Sequence, residues 1–191
     1  YVKAFVNPHD DVALLRIANT PARGLSDVTM ERLLSASTER KCSVFRAMHH
    51  TDVLDQFRSN TREAIVGFTH FLVRTHEQIA PAEPPATRLS LKAWAEAWLK
   101  ETGYLEELRK SEKDPDTADT RVKNIQELVD TLAPEGVPPA NAMERLNEFL
   151  EELTLDQERE EEDDEAGDAV TLITMHAAKG LEFPHVHVVG I

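Results

Sequence analysis

The stretch that decides the fold is Thr171-Leu-Ile-Thr-Met-His-Ala-Ala-Lys-Gly-Leu-Glu-Phe-Pro184. β-branched and large apolar side chains alternate in its first half, which predicts a buried strand over residues 170–176. A polar turn with Lys and Gly follows, and a second apolar segment at 185–191 predicts another strand. α/β proteins place polar ligand-binding groups in such turns, at the ends of sheet strands. The stretch therefore predicts the edge of an α/β domain.

The turn between these strands carries three residues suited to a nucleotide. Gly180 allows backbone N–H groups to approach a phosphate closely, and Lys179 supplies positive charge. Glu182 offers an acceptor for a hydroxyl group such as that of a ribose. A plain strand connection with a solvated Lys and Glu has the same composition, because Lys-Gly is common in turns. The chemistry of the residues alone leaves both interpretations open.

The order of residues in this stretch resembles motif V of superfamily 1 DNA helicases of the UvrD/Rep type. The run T-L-I-T-M-H-A-A-K-G-L-E-F-P with an apolar strand behind it is far more specific than a lone Lys-Gly pair. The resemblance implies that Glu182 contacts the ribose of ATP and that Gly180 lies near the terminal phosphate, with Lys179 in the same ATP site. It also implies that Thr174 and His176, together with Lys179, link that site to single-stranded DNA.

The composition is that of a globular protein with one strongly acidic segment. The 191 residues are 41% hydrophobic and 29% charged, and no apolar run reaches the length of a transmembrane helix. The net charge of −14 argues against a general nucleic-acid-binding surface. Residues 144–168 alone contribute thirteen acids and two arginines, so a phosphate site elsewhere in the chain is compatible with the charge.

The cysteine content is consistent with a reducing compartment, and the spacing of cysteines and histidines predicts no metal site. Cys42 is the only cysteine, so no intrachain disulfide can form, and no Cys/His set has zinc spacing. The chain begins Tyr-Val-Lys-Ala-Phe, which looks like the interior of a longer protein rather than a signal peptide. Together with the helicase resemblance, this predicts a bacterial cytoplasmic location without membrane contact.

A helix–turn–helix is predicted near the amino terminus. Asn7 is expected to cap the first helix, with Pro8 at the first helical position and the end at Ala18. The second helix is expected to start with Ser26 as N-cap and to run to about Ser37.

The turn between these two helices can hold a phosphate. Backbone N–H groups of Gly24, Leu25 and Ser26 are expected to point outward at a helix N-terminus, and Arg23 adds positive charge. Such contacts would grip duplex DNA without reading its sequence, whereas Asp27 would repel an anion. An ordinary helix–helix turn is the alternative interpretation.

The same segment resembles the start of the 2B subdomain of UvrD/Rep-type helicases, where an N-T-P-x-R-G-I-G run makes the hairpin that grips the duplex. The chain has Gly24-Leu25-Ser26 where that pattern has Gly-Ile-Gly, and Ser is small and a good N-cap, so the fold is expected to survive. Arg16 also matches a family position and is expected to be a buried structural partner. The resemblance implies weak, salt-sensitive duplex binding that Arg23→Ala reduces.

The rest of the chain up to residue 153 is predicted to be helical. Residues 41–48 and 51–57 form short amphipathic pieces, and Trp94 and Trp98 are assigned to the core rather than to stacked bases. The acidic segment 154–168 is expected to be a solvated, flexible connector. Apolar residues at three- and four-residue steps predict the longer helices, at 62–79, 87–100, 104–110, 118–132 and 140–153.

These features predict a mainly α fold: a helical 2B-type subdomain at 8–153, inserted in an α/β (RecA-like) domain of which only edge strands are present. Residues 1–7 and 169–191 are the expected flanks from the 2A subdomain. The run Arg121-x-x-Asn124-x-x-Glu127-Leu128 is interpreted chiefly as a polar contact between helices. This run and the acidic connector look most like the Rep branch of the family.

The resemblance implies an ATP-dependent DNA helicase that moves 3′ to 5′, with ATP and Mg²⁺ as cofactors and single-stranded and duplex DNA as partners. The sequence has no G-x-x-x-x-G-K-[ST] loop, so the chain alone is expected to be inactive and to work with the remaining helicase domains. Its bare strand edges are expected to favour self-association. A non-catalytic protein-interaction module that uses the acidic segment is the alternative, and deletion of residues 158–165 would separate the two.

Overall fold

A computed structural model of the chain describes residues 1–80, 90–132 and 142–165, together with positions 173, 183 and 185–188. The described residues are mainly α-helical, as predicted, and contain no strand. In this part of the chain, no helix is both long enough and apolar enough to cross a membrane. The helices are α1 Val2–Val6, α2 Asp11–Ile17, α3 Asp27–Arg40, α4 Val44–Ala47, α5 Thr51–Leu54, α6 Ser59–Ile79, α7 Leu91–Thr102, α8 Tyr104–Ser111, α9 Pro115–Thr131 and α10 Ala142–Glu165.

The edge strands predicted for an α/β domain do not occur at the positions that the structure describes. Residues 1–7, assigned to one flank of that domain, contain helix α1. Positions 173 and 185–188, which fall in the two predicted strands, adopt no regular structure. A strand is stable only when a neighbour pairs with its N–H and C=O groups, and the described residues supply no neighbouring strand. No strand is therefore formed at these described positions, and the rest of both predicted strands lies outside the described residues.

Contacts divide the chain into two units, Tyr1–Leu153 and Thr154–Ile191. An aromatic cluster lies at the centre of the first unit, where Phe5 is fully buried. The rings of Phe71, Trp94 and Trp98 lie 5.6, 5.5 and 5.3 Å from the Phe5 ring, all at steep angles. Because both tryptophans are buried in this cluster, their assignment to the core is confirmed.

Helix α2 begins three residues later than predicted. Its N-cap is Asp10, whose carboxylate accepts a hydrogen bond from the Ala13 amide at 3.0 Å. Asn7, the predicted N-cap, instead ends α1, and its side chain accepts a hydrogen bond from the His9 amide at 3.0 Å. Asn and Asp are both strong capping residues, so the sequence offered two nearby starts and the later one is used. Pro8 therefore lies in the link between two helices.

Helices α3 and α6 follow the predicted pattern. Ser26 is the N-cap of α3, as predicted, and its hydroxyl accepts a hydrogen bond from the Thr29 amide at 3.4 Å. The helix continues past Ser37 and ends where Lys41 adopts a left-handed conformation with φ 51°. The predicted core face of α6 is confirmed by its buried residues, which include Ile65, Phe68, Phe71, Leu72, Thr75 and Ile79.

Capping residues also decide the ends of α7 and α9. Helix α7 begins at Leu91, later than predicted, because the side chain of Ser90 accepts a hydrogen bond from its first turn. It ends at Thr102, two residues later than predicted, because Gly103 adopts a left-handed conformation with φ 65°. Helix α9 begins at Pro115, three residues before its predicted start, because Asp114 caps it and Pro is favoured at the first helical position.

Helix α10 corrects the prediction for the acidic segment. Residues 154–168 were expected to be a flexible connector, but α10 runs unbroken over Ala142–Glu165. Glu, Gln and Arg are good helix formers, and the first Gly or Pro after the start of this helix is Gly167. Leu146 and Phe149 are buried and hold the first half of the helix in the core. An acid-rich composition therefore disfavours burial here without preventing a helix.

Arg145 joins the end of α9 to the start of α10. Its guanidinium Nη2 donates to the backbone carbonyl of Thr131 at 3.2 Å, and Nη1 lies 3.0 Å from a carboxylate oxygen of Glu152. The hydrogen bond to Glu152 is the largest cause of a raised pKa for Arg145, which keeps the guanidinium charged. Leu132 and Leu146, next to the two helix ends, are both buried. The side chain of Arg145 therefore fastens these helix ends to each other.

Two glycines are expected to respond to alanine with opposite signs. A Cβ added to Gly67 in α6 meets no atom within 4 Å, so Gly67→Ala should raise the free energy of unfolding by about 0.5–1 kcal/mol through helix propensity. Gly103 has a positive φ, so Gly103→Ala should lower it by about 1 kcal/mol. Urea unfolding of both variants checks this pair, and stabilisation by Gly103→Ala would contradict it.

Candidate nucleic-acid interface

The turn between α2 and α3, residues 18–26, contains the four residues predicted to contact duplex DNA. Gly24 has φ 82°, in the left-handed region that favours glycine, and both Gly24 and Ser26 are exposed. Leu25, between them, is fully buried and anchors the turn in the core. Arg23 is half-buried. The turn therefore presents the backbone of Gly24 and Ser26 at the surface, above an apolar anchor.

Asn19 closes this turn, although it is not among the residues predicted for the interface. Its Oδ1 accepts hydrogen bonds from the backbone amides of Arg23 at 2.9 Å and Leu25 at 3.2 Å. The Leu25 amide is therefore used inside the turn, and the expectation that it points outward is wrong. The available signal was an Asn just after a helix and before a Pro-containing turn, because Asn side chains commonly accept hydrogen bonds from nearby backbone there.

The guanidinium of Arg23 is engaged beside the turn. Its Nε donates to the carbonyl of Pro21 at 3.2 Å, and its Nη2 donates to the carbonyl of Thr20 at 3.1 Å and to the Tyr1 hydroxyl at 2.5 Å. It also lies over the ring of Phe68, 5.1 Å from the centroid. Burial raises the pKa of the Tyr1 phenol, which stays neutral and donates to the Thr20 carbonyl while it accepts from Arg23.

The backbone amides of Gly24 and Ser26 form no hydrogen bond within the described part of the chain. Ser26 is the N-cap of α3 and Gly24 lies two residues before it; the dipole of this 14-residue helix places partial positive charge at this end. Free N–H groups at a helix N-terminus suit the oxygens of a phosphate. The exposed carboxylate of Asp27 lies in the first turn of the same helix and opposes an anion. The arrangement can contact a phosphate backbone without reading bases.

The residues predicted to contact ATP and single-stranded DNA, which are Thr174, His176, Lys179, Gly180 and Glu182, lie outside the described residues. Within the described ranges, no group of three or more His, Cys, Asp or Glu side chains is placed to hold a metal ion. The candidate interface that the structure describes is therefore the turn between α2 and α3.

Two further polar predictions have different outcomes. Arg16 is exposed, so the expectation that it is buried is wrong, because α2 turns Ala13, Leu14 and Ile17 inward and leaves Arg16 on the outer face. Arg121 forms an ion pair with Glu112, the residue that ends α8, which agrees with a polar contact between helices. Asn124 and Glu127, from the same run, are exposed, and Glu127 pairs with Lys123 on its own helix at 3.4 Å.

Comparisons with known proteins give the family. The family described as the UvrD-like helicase C-terminal domain matches residues 1–191. The chain is 33% identical over 196 residues to "ATP-dependent DNA helicase Rep" of Escherichia coli (strain K12) and 31% identical over 196 residues to "ATP-dependent DNA helicase PcrA" of Bacillus subtilis (strain 168). It is 32% identical over 193 residues to "DNA helicase II" of Haemophilus influenzae.

Each of these alignments covers 100% of this chain, but only 28% of the E. coli relative and 25% of the other two. The chain thus spans about a quarter of the length of these helicases. The resemblance that motif V and the N-T-P-x-R-G run carry in the sequence is confirmed at the level of the family. This chain belongs to the UvrD-like helicase C-terminal domain family.

Proposed function

We propose that this chain is the 2B subdomain, with adjoining parts of 2A, of an ATP-dependent DNA helicase that moves 3′ to 5′ along single-stranded DNA. The family match over the whole chain and the similarity to ATP-dependent DNA helicases support this proposal. In it, the helical unit contacts duplex DNA and regulates the enzyme. The remaining domains of the helicase supply the phosphate-binding loop and the Mg²⁺ site, so the chain alone hydrolyses no ATP.

The observation that carries the duplex contact is the turn between α2 and α3, in which two exposed residues, Gly24 and Ser26, have backbone amides without a hydrogen bond in the described part of the chain. Backbone amides of this kind can bind the phosphate oxygens of DNA whatever its base sequence. A helicase that unwinds DNA of any sequence requires such a contact. The distribution of charge also favours a phosphate contact in the amino-terminal part of the chain, where the turn lies. Residues 1–80 carry ten Lys and Arg against nine Asp and Glu, whereas residues 81–191 carry eleven against twenty-six. The turn therefore lies in the least acidic part of a chain that is acidic overall.

The second half of the proposal concerns motif V. On the resemblance, Glu182 contacts the ribose of ATP, and Gly180 and Lys179 lie on the phosphate side. Thr174 and His176 contact the single strand. ATP and Mg²⁺ bind only when the other helicase domains complete the site, and ATP then supplies the energy for movement.

Ser26→Asp tests the duplex contact. Asp is as good an N-cap as Ser, so α3 should keep its start, while the added negative charge lies beside the free amides. We expect duplex binding by the 191-residue chain, measured by fluorescence anisotropy at low salt, to weaken about tenfold.

The matched control is Ser90→Asp, because Ser90 caps α7 through the same kind of hydrogen bond, accepted from the amide three residues later, and is also exposed. This variant carries the same change of net charge and should bind duplex DNA within about twofold of the unmodified chain. Equal losses in the two variants, or no duplex binding by the unmodified chain at low salt, would refute the role of the turn.

A further inference from the structure

Arg23 has too many partners within the protein to be a free ligand for DNA. Its guanidinium donates to two backbone carbonyls, those of Thr20 and Pro21, and to the hydroxyl of Tyr1. It also lies against the aromatic faces of Tyr1 and Phe68, at 5.9 and 5.1 Å from the ring centroids. Turning toward a phosphate would break these hydrogen bonds and leave the two carbonyls without this donor.

These partners connect three separate parts of the chain. Tyr1 precedes α1, Phe68 belongs to the core face of α6, and Thr20 and Pro21 belong to the turn itself. The guanidinium group of Arg23 therefore connects the turn to the start of α1 and to α6. A lysine could keep the charge but could not donate to three acceptors in one plane while it stacks on two rings.

Asn19 fixes the turn from its other side. One oxygen accepts from the amides on both sides of Gly24, those of Arg23 and Leu25. Gly24 lies between them at φ 82°, and its own amide, like that of Ser26, forms no hydrogen bond within the described residues. The backbone is thus arranged for an incoming anion before any anion binds, which lowers the entropic cost of binding.

We propose that Arg23 and Asn19 are positioning residues, which hold the turn so that duplex DNA meets the backbone amides of Gly24 and Ser26 and not the Arg23 guanidinium. This inference rests on the proposed duplex contact and deepens it. It assigns the phosphate contact to neutral backbone groups, so the turn itself releases few counterions from the DNA. Removal of Arg23 then weakens binding without changing how steeply binding depends on salt.

Arg23→Lys, compared with Arg23→Ala, separates positioning from direct contact. For positioning, both variants should weaken duplex binding by about tenfold, and the slope of log affinity against log salt should stay that of the unmodified chain. A direct phosphate contact gives another pattern: Arg23→Lys binds normally, and Arg23→Ala lowers the slope by about one. That second pattern would overturn the proposal.

Hydrogen exchange gives a readout without DNA. Asn19→Ala should speed exchange of the Leu25 amide by about tenfold or more, whereas Asn19→Asp, which keeps the acceptor oxygen, should leave it protected. The Leu72 amide in the middle of α6 serves as the fold reference and should stay protected in all variants.

Hydrogen exchange and duplex binding test the positioning role and the proposed function independently. If Asn19→Ala leaves the Leu25 amide protected, the positioning role is wrong even when the chain binds duplex DNA. If the unmodified chain binds no duplex, the proposed function is wrong and the assignment of the phosphate contact falls with it, while the exchange data still show whether Asn19 orders the turn.

Discussion

Phe5→Ala should lower the free energy of unfolding by about 3–5 kcal/mol, the largest loss we expect from a single substitution in this chain. Phe5 is fully buried, and its ring contacts those of Phe71, Trp94 and Trp98, which come from α6 and α7. Truncation to a methyl group removes the ring that all three of these side chains contact. It leaves a cavity between packed helices, which the surrounding side chains fill only in part. Denaturant unfolding followed by tryptophan fluorescence measures the loss, because both tryptophans line the cavity.

Phe45→Ala is the control for this experiment. Phe45 is only half-buried, and its ring lies against His9 and His49 at the surface, at 5.4 and 4.7 Å. The same truncation there should cost about 1–2 kcal/mol, because less apolar area returns to water. Equal losses for the two variants would show that the core is not centred on Phe5.

Leu146→Ala should produce the second largest loss, about 2–5 kcal/mol. Leu146 is fully buried and belongs to the half of α10 that packs in the core. The residues of α10 beyond Leu153 belong to the second unit of the chain. Leu155 lies on the same helix but is 53% exposed, so the two positions should differ sharply in their sensitivity to truncation.

Leu155→Ala, on the same helix, provides the comparison. Leu155 is 53% exposed, so its truncation should change the free energy of unfolding by no more than about 0.5 kcal/mol. Both variants replace leucine with alanine in the same helix, so the change in helix propensity is the same and cannot explain a difference between them. A loss at Leu155 as large as that at Leu146 would contradict the exposure of Leu155.

The elements with a clear apolar stripe could be predicted from the sequence. The core face of α6 and the burial of Trp94 and Trp98 follow from three- and four-residue spacing, and the structure confirms them. Helix ends were harder. Asn7 and Asp10 are both good N-caps, and only tertiary packing decides between them. In the acidic segment, composition predicted a solvated, flexible connector, although the same residues favour a helix when no Gly or Pro interrupts them.

The candidate site was predicted only in part. Ser26 as N-cap and the position of the turn between two helices follow from local sequence, because caps and turns depend on neighbouring residues. The partners of Arg23 could not be predicted, since Tyr1 and Phe68 are distant in sequence and meet it only after the helices pack. The part of the site at 174–182 was inferred from motif resemblance alone.

The bond from Arg145 to the Thr131 carbonyl has a consequence for the evolution of this chain. With both helix ends already tied, the intervening segment at 133–141 need not hold α9 and α10 together. The entropic cost of joining two fixed chain ends rises slowly with the number of residues between them, by about 0.6 kcal/mol for each doubling. Relatives can therefore lengthen or shorten this connection at small cost, provided that the arginine and its carbonyl acceptor still meet.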